Sequence, residues 1–258
     1  PYYIAQIKFL QGDYNALLEY TKPLLAEGGS VKSKGDINRL AGEAYYRTGQ
    51  FKEAQPYLEK SVQGTGVERG ERYIAGYVFY KNGDCKKALA QFNLVASPGN
   101  QPVEDSLAQL AAYHMADCYL SLNEKNYARN AFKRAYDIGV DQRVTEDALF
   151  NYAKLAYELS FDPYNEAIIA LRDYLKAYPN SGRHDEAQQF LMNVYLKTRN
   201  YEAALQALDA IRDKDPRLQE VYQELAFNRG VELYEGHKYA EAVPFFQKAL
   251  VFPVDKEV

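Results

Sequence analysis

The stretch Leu40-Ala41-Gly42-Glu43-Ala44-Tyr45-Tyr46-Arg47-Thr48-Gly49-Gln50-Phe51-Lys52-Glu53-Ala54-Gln55-Pro56-Tyr57-Leu58-Glu59-Lys60-Ser61 decides the fold, because its pattern returns along the whole chain. It reads as two short helices joined by a turn. A small residue, Gly42, stands one turn before an aromatic, Tyr45, and Gly49 then breaks the helix. Phe51, Ala54, Leu58 and Ser61 follow on one face of the second helix at spacings of three and four. Such a hairpin cannot bury its apolar face alone, so copies must stack side by side.

Those copies are found on either side. Tyr2 to Glu27 is a degraded first copy, with Gly12-Asp13 as its turn and Leu17 where later copies have Ala. After the polar loop Gly28-Gly29-Ser30-Val31-Lys32-Ser33, the second copy follows, with Ser33 and Asp36 spaced as a helix start. The third carries Gly76, Phe79, Gly83, Ala88, Phe92 and Val95, with Cys85 where Phe51 stood. The fourth has Ala116, Tyr119, Ala128, Phe132 and Ala135, with Asn123 in its turn and Pro102 near its start. The fifth runs from Ala153 to Tyr174 through a rebuilt turn, Ser160-Phe161-Asp162-Pro163, in which Asp162 reads as cap and Pro163 as first helical residue. The sixth has Met192, Tyr195, Tyr201, Ala204, Leu208 and Ile211; Asp215-Pro216 opens the seventh, with Gly230, Leu233, Tyr239, Ala242, Phe246 and Ala249. The second-helix markers Leu17, Ala54, Ala88, Ala128, Ala167, Ala204 and Ala242 are separated by 37, 34, 40, 39, 37 and 38 residues, a period near 34 with loop insertions. Pro56 and Pro244 each fall two residues after their marker, so any mild kink belongs to the repeat.

This pattern resembles the tetratricopeptide repeat (TPR): small residue, aromatic, turn Gly, aromatic, Ala, large apolar, Ala, most closely over Leu40 to Ser61 and Ala75 to Val95. The resemblance implies an all-α, right-handed α-solenoid of about seven hairpins, forming one array over 1–258. Tyr178-Pro179-Asn180-Ser181 followed by Asp185-Glu186-Ala187 is similar to TPR proteins of the bacterial cell envelope, which implies a periplasmic or envelope setting. In the family the first helix of each repeat lines the concave surface where partners dock. On that basis partner contacts are expected at Arg39, Glu43, Tyr46, Tyr73, Tyr77, Tyr80, Tyr113, Asp117, Phe150 and Lys154. Tyrosine brings large contact area, few rotamers and a polar tip, which suits a peptide groove, although rings at helical spacing also serve as core. The chaperone-binding members clamp a terminal carboxylate with Lys and Asn; of the corresponding positions here, Gln6, Glu43, Tyr77, Asp117, Lys154, Asn193 and Val231, only Asn193 fits.

The net charge of -4 gives no basic footprint for nucleic acid, and no run of about 18 apolar residues could span a membrane. The glycines of Gln63 to Gly70 are spaced G-x-G-x-x-x-G with no strand before them, so they read as an inter-hairpin loop and not a nucleotide site. Cys85 and Cys118 read as buried free thiols. His114, His184 and His237 are far apart, with the last two in expected loops, and no metal-ligand spacing, phosphate loop or nucleophile motif occurs; no metal, cofactor or catalytic residue is expected. The reading is a non-catalytic interaction scaffold binding a protein or peptide in its tyrosine-rich groove, with a glycan-binding envelope protein as the alternative. The start at Pro1 and the apolar end at Leu250-Val251-Phe252-Pro253 suggest a portion of a longer chain, with self-association through the array ends.

Overall fold

The computed structural model describes residues 1–26, 33–64, 66–159, 165–197, 201–209, 211 and 214–254. Among these residues there is no strand and there are fourteen α-helices. Two compact units divide the chain, Pro1–Ala148 and Leu149–Val258. The first contains α1 (Tyr2–Leu10), α2 (Tyr14–Leu25), α3 (Lys34–Arg47), α4 (Phe51–Ser61), α5 (Arg69–Lys81), α6 (Cys85–Ala96), α7 (Ser106–Ser121), α8 (Lys125–Ile138) and the start of α9 (Gln142–Leu159). The second contains the rest of α9, then α10 (Asn165–Ala177), α11 (His184–Lys197), α12 (Tyr201–Asp209), α13 (Pro216–Glu235) and α14 (Tyr239–Ala249). Of these helices, α1 with α2, α3 with α4, α5 with α6, α7 with α8 and α13 with α14 pack as hairpins. The fold is an all-α solenoid of helical hairpins.

One contact recurs inside the hairpins. A Cβ at Gly42 would lie 2.7 Å from Leu58, one at Gly76 2.8 Å from Phe92, and one at Gly230 2.7 Å from Phe246. In each case the large residue follows the small one by sixteen positions. The missing side chain lets the first helix settle directly on the second, and buries Leu58, with Phe92 fully enclosed. Ala116 stands in the same position ahead of the buried Phe132, and Met192 ahead of the buried Leu208. The marker residues Leu17, Ala54, Ala88, Ala128, Ala167, Ala204 and Ala242 are all buried, so the sequence period tracks the core.

The turns are equally regular. Gly12, Gly49 and Gly83 take φ of 75°, 74° and 81°, two residues before the second helix, and Asn123 and His237 adopt the same left-handed backbone at φ 60° and 58°. The next N–H reaches back five residues in each, as in Gln50 to Tyr45 O at 2.9 Å, Asp84 to Phe79 O at 2.8 Å and Lys238 to Leu233 O at 2.9 Å, which satisfies a helix-end carbonyl. Asp13, Asp84 and Asp215 cap their helices as their positions imply.

Three local expectations are corrected. The fourth hairpin starts at Asp105 and not at Pro102. A 3₁₀ turn over Pro98–Asn100 and an irregular segment precede it, and the extended Asp105 accepts from Ala108 N at 2.8 Å. Ser33 precedes α3, but its backbone is left-handed (φ 65°) and its side chain makes no cap, leaving Asp36 as the first-turn acid. His184 is the first residue of α11 and not a loop residue. The Asp162-Pro163 start and the Gly28 to Lys32 loop lie outside the described residues.

Polar groups tie hairpins together within the first unit. Arg69 donates to both carboxylate oxygens of Asp105 at 2.6 and 3.1 Å and to Val95 O at 3.0 Å. Gln109, fully buried, is satisfied on all sides: it donates to Ala135 O, Asp141 O and Thr145 Oγ1 and accepts from Asp141 N at 2.7 Å. In the second unit Asp209 accepts from Tyr222 and Lys248, both at 2.8 Å. The thiols Cys85 and Cys118 are free and buried, as the sequence implies, and they contact each other; burial and the Cys85 thiol push Cys118 up. Apolar side chains remain exposed on α1, at Tyr3, Ile7 and Leu10, and after α14, at Leu250 and Val251.

Gly76→Ala should lower the unfolding free energy by about 1–3 kcal/mol, because its methyl must displace a ring that cannot move. Gly70→Ala, in the same helix with nothing within 4 Å, should instead raise it by about 0.5–1 kcal/mol. Equal signs in urea unfolding would refute the close-packing account. Hydrogen bonding from Arg69 also holds the Asp105 carboxyl below the usual carboxylate range. The unfolded chain therefore takes up this proton first as acid is added. The contribution is whole above about pH 4 and is lost as pH falls through the folded-state value. In Asp105→Asn that component of the acid limb should vanish from a stability–pH profile.

Candidate functional site

On the first helices of the first unit, the residues three before, one after and four after the small residue share a face. Around Gly42 these are Arg39, Glu43 and Tyr46; around Gly76 they are Tyr73, Tyr77 and Tyr80; around Ala116, Tyr113 and Asp117. The helix period alone brings them into line. Their rings meet across helices. Tyr77 lies 5.9 Å from Tyr46 and 6.0 Å from Phe51, both edge-on, and 6.3 Å from Tyr73 in a stacked arrangement. Tyr73, Tyr77, Tyr80 and Tyr113 are half-buried.

At the centre is a residue that sequence reasoning set aside. The His114 ring is enclosed by Tyr77 and Tyr80, each at 5.2 Å, Tyr113 at 5.6 Å, Phe92 at 5.8 Å and Tyr73 at 6.2 Å. Its Nδ1 is buried and makes no hydrogen bond, with Asp117 Oδ2 3.7 Å away. The same Asp117 oxygen accepts from the Tyr80 hydroxyl at 3.2 Å. Burial, and then the charge of Asp117, push the Tyr80 phenol up to about 12, and burial raises Tyr73 as well. One helix further on, the Tyr113 hydroxyl donates to Asp147. Aligning the hairpins would have exposed His114, since it stands where Leu40 and Ile74 stand in the preceding copies.

The other expected residues are placed differently. Glu43 is buried and engaged by Arg47 at 3.1 Å and Arg39 at 3.7 Å, while Arg39 also reaches Glu71 at 3.0 Å. Burial raises the Glu71 carboxyl and Arg39 opposes it. The charges of Arg39 and Glu43 are therefore engaged with one another and with neighbouring helices. Phe150 and Lys154 belong to the second unit. Phe150 is buried, against Tyr174 at 5.3 Å and under the Arg183 guanidinium at 4.8 Å. Lys154 lies 3.6 Å from Glu186 and 5.7 Å from the Phe190 ring centre. Among the described residues no group of His, Cys, Asp and Glu has the arrangement of a metal site, and no helix is long and apolar enough to cross a membrane.

The fold matches what sequence comparison finds. Tetratricopeptide-repeat family models match residues 147–181 and 191–254. Among solved structures, the C-terminal part of a TPR repeat-containing protein from Cytophaga hutchinsonii covers all of this chain, and 97% of its own, at 13% identity and a TM-score of 0.50. A tetratricopeptide repeat protein from Parabacteroides merdae covers 98% of this chain and 92% of its own at 16% identity, with a TM-score of 0.48. A chloroplastic protein of Arabidopsis thaliana is 30% identical over 142 residues, which are 54% of this chain and only 40% of that protein's length. Residues 147–181 and 191–254 are thus matched as tetratricopeptide repeats, and the hairpins before them share the same fold. Arrays of this kind present extended surfaces to protein partners, and they are generally scaffolds without catalysis of their own.

Replacing His114 by Leu, the residue type at position 40, removes a buried nitrogen without a partner and keeps an apolar body among the rings. It should leave the unfolding free energy unchanged or raise it by up to about 1 kcal/mol, whereas His114→Ala should cost about 2–4 kcal/mol by opening a cavity. A loss above about 2 kcal/mol in the Leu variant by urea titration would mean the nitrogen is satisfied in solution.

Proposed function

We propose that the chain is a non-catalytic scaffold that holds a peptide or a partner domain against the first-helix face of its first unit, centred on Tyr73, Tyr77, Tyr80, Tyr113 and Asp117. The observation that carries this reading is the continuous row of half-buried rings running from Tyr46 through Tyr77 and His114 to Tyr113. Packing alone would be served equally well by Phe or Leu at these positions. Tyrosines whose hydroxyls reach carboxylates at the surface supply rigid apolar area together with hydrogen-bonding capacity, the combination that interface centres favour. The faces of Tyr73 and Tyr77 are occupied, by one another in a stacked pair and by Lys81 over Tyr77 at 5.9 Å. That supports contact with a peptide along the ring edges over the glycan alternative, which needs open, flat ring faces. The flanking positions Arg39 and Glu43 contribute rigidity to this face through their mutual ion pair. Phe150 and Lys154, the remaining expected positions, are a packed ring and a surface ammonium of the second unit.

The test is a pull-down with the full chain, followed by paired measurements on variants. Tyr77→Ala and Tyr113→Ala should each weaken capture of the recovered partner by about 2 kcal/mol beyond their effect on melting. Lys86→Ala, on an exposed position of α6, should change neither. Variants that lose stability but bind normally at temperatures where they are folded would make these tyrosines core and place the docking surface elsewhere.

A further inference from the structure

Around Tyr80 and Tyr113 the tyrosine face carries negative charge where a partner would meet it. Asp117 and Tyr113 lie one turn apart on α7, and Tyr77 and Tyr80 lie one turn apart on α5. Asp117 holds the hydroxyl of Tyr80 at 3.2 Å and faces the edge of His114 at 3.7 Å. About a quarter of its side chain, 26%, stays open to solvent. No guanidinium or ammonium of the described residues lies within ion-pairing distance of it. Three cations of the row are committed elsewhere: Arg39 to Glu43 and Glu71, Arg47 to Glu43, and Lys81 over the rings of Phe51 and Tyr77 at 5.9 Å. Asp147, receiving the Tyr113 hydroxyl, adds a second carboxylate on the next first helix. Phenol rings bordering this place present negative π faces as well.

A carboxylate is more than a tyrosine hydroxyl requires, since a main-chain carbonyl or an amide accepts the same hydrogen bond without charge. Two such pairs, Tyr80 with Asp117 and Tyr113 with Asp147, on successive hairpins put negative charge and aromatic surface side by side. Lys81 already illustrates what that environment attracts, because the chain's own ammonium has settled over the Phe51 and Tyr77 rings at the other edge of the cluster. We propose that the peptide bound on this face presents a basic side chain, arginine above lysine, that seats beside Asp117 against the rings of Tyr80 and Tyr113. The preference for arginine follows from its planar guanidinium, which stacks on a ring while donating to a carboxylate, and which gives up its hydration more readily than an ammonium. This inference rests on the docking face proposed above and gives its partner a charge.

A positional-scanning nonapeptide library applied to the full chain tests it. The expected result is enrichment of arginine, with lysine second, at one peptide position. In Asp117→Asn, which keeps an acceptor for Tyr80, that enrichment should collapse while apolar and aromatic preferences at other positions remain. An arginine-bearing peptide drawn from the library should lose on the order of tenfold in affinity in this variant, and its binding to the native chain should weaken with added salt. Glu53→Gln, on the exposed side of α4, should change neither preference nor affinity. Peptides bound without preference for basic residues, with preference for acidic ones, or with a basic preference that survives Asp117→Asn would overturn the inference and leave the docking face standing. Library binding that is indifferent to Tyr77→Ala and Tyr113→Ala in folded protein would overturn both.

Discussion

A residue with almost no side chain, set opposite a large one sixteen positions later, holds the hairpins shut. Gly42 against Leu58, Gly76 against Phe92 and Gly230 against Phe246 leave no room for even a methyl group. The contact fixes how closely the two helices approach and in what rotation. Once that rotation is set, the marker alanines must point inward and the neighbouring hairpin must supply the remaining cover. Burial of Ala54, Ala88 and Ala242 is therefore a consequence of the glycine positions as much as of alanine's own size.

The same rotation determines which residues of the first helix are left to face outward. Positions three before, one after and four after the small residue lie along one line, and in α5 all three are tyrosine. Each ring covers its neighbour's flank, so the face is apolar in bulk, while each hydroxyl needs a partner at the surface. Asp117 meets that need for Tyr80, and Asp147 for Tyr113, each from the next first helix. The resulting surface is stiff, because the rings brace one another, and polar at its rim. At the other end of the row the requirement is met differently: Arg39, Glu43, Arg47 and Glu71 close a network that leaves little charge for outside use.

Much of the fold was legible in the sequence because its determinants are local and periodic. Small and large residues at fixed spacing, turn residues that tolerate positive φ, and aspartates ahead of helices can all be read without knowing what folds against what. Asn123 and His237 show the limit of the glycine signal, since a non-glycine residue can hold the left-handed turn when the helix-end hydrogen bonds compensate. Pro102 misled because a proline marks the neighbourhood of a helix start, whereas the start itself is decided by the carboxylate of Asp105 and its pull on Arg69. The candidate site was legible as a row of tyrosines and no further. Whether Glu43 is available or paired depends on arginines in the same and the next helix, and whether Phe150 is open depends on Tyr174, Phe190 and Arg183, all distant in sequence. His114 was hidden by its chemistry: judged as a histidine it lacks metal-binding companions, but judged by its position it is the replacement of a core aliphatic.

The sixteen-residue separation also has a kinetic side. Closing a hairpin on its own contact requires only a short, tightly turned loop to form, and the entropy of that closure is nearly the same in every copy where small and large residues keep this spacing. Helical arrays dominated by such near-neighbour contacts belong to the fast-folding end of protein topologies, and any closed hairpin can act as a seed onto which the next one condenses. Extra residues between hairpins, which stretch the marker steps from 34 to as many as 40, delay the joining of neighbours but leave the closing of each hairpin untouched. Chain length inserted between hairpins is thus tolerated in the folding reaction, while a single residue inserted between Gly76 and Phe92 would strike the closing of that hairpin itself.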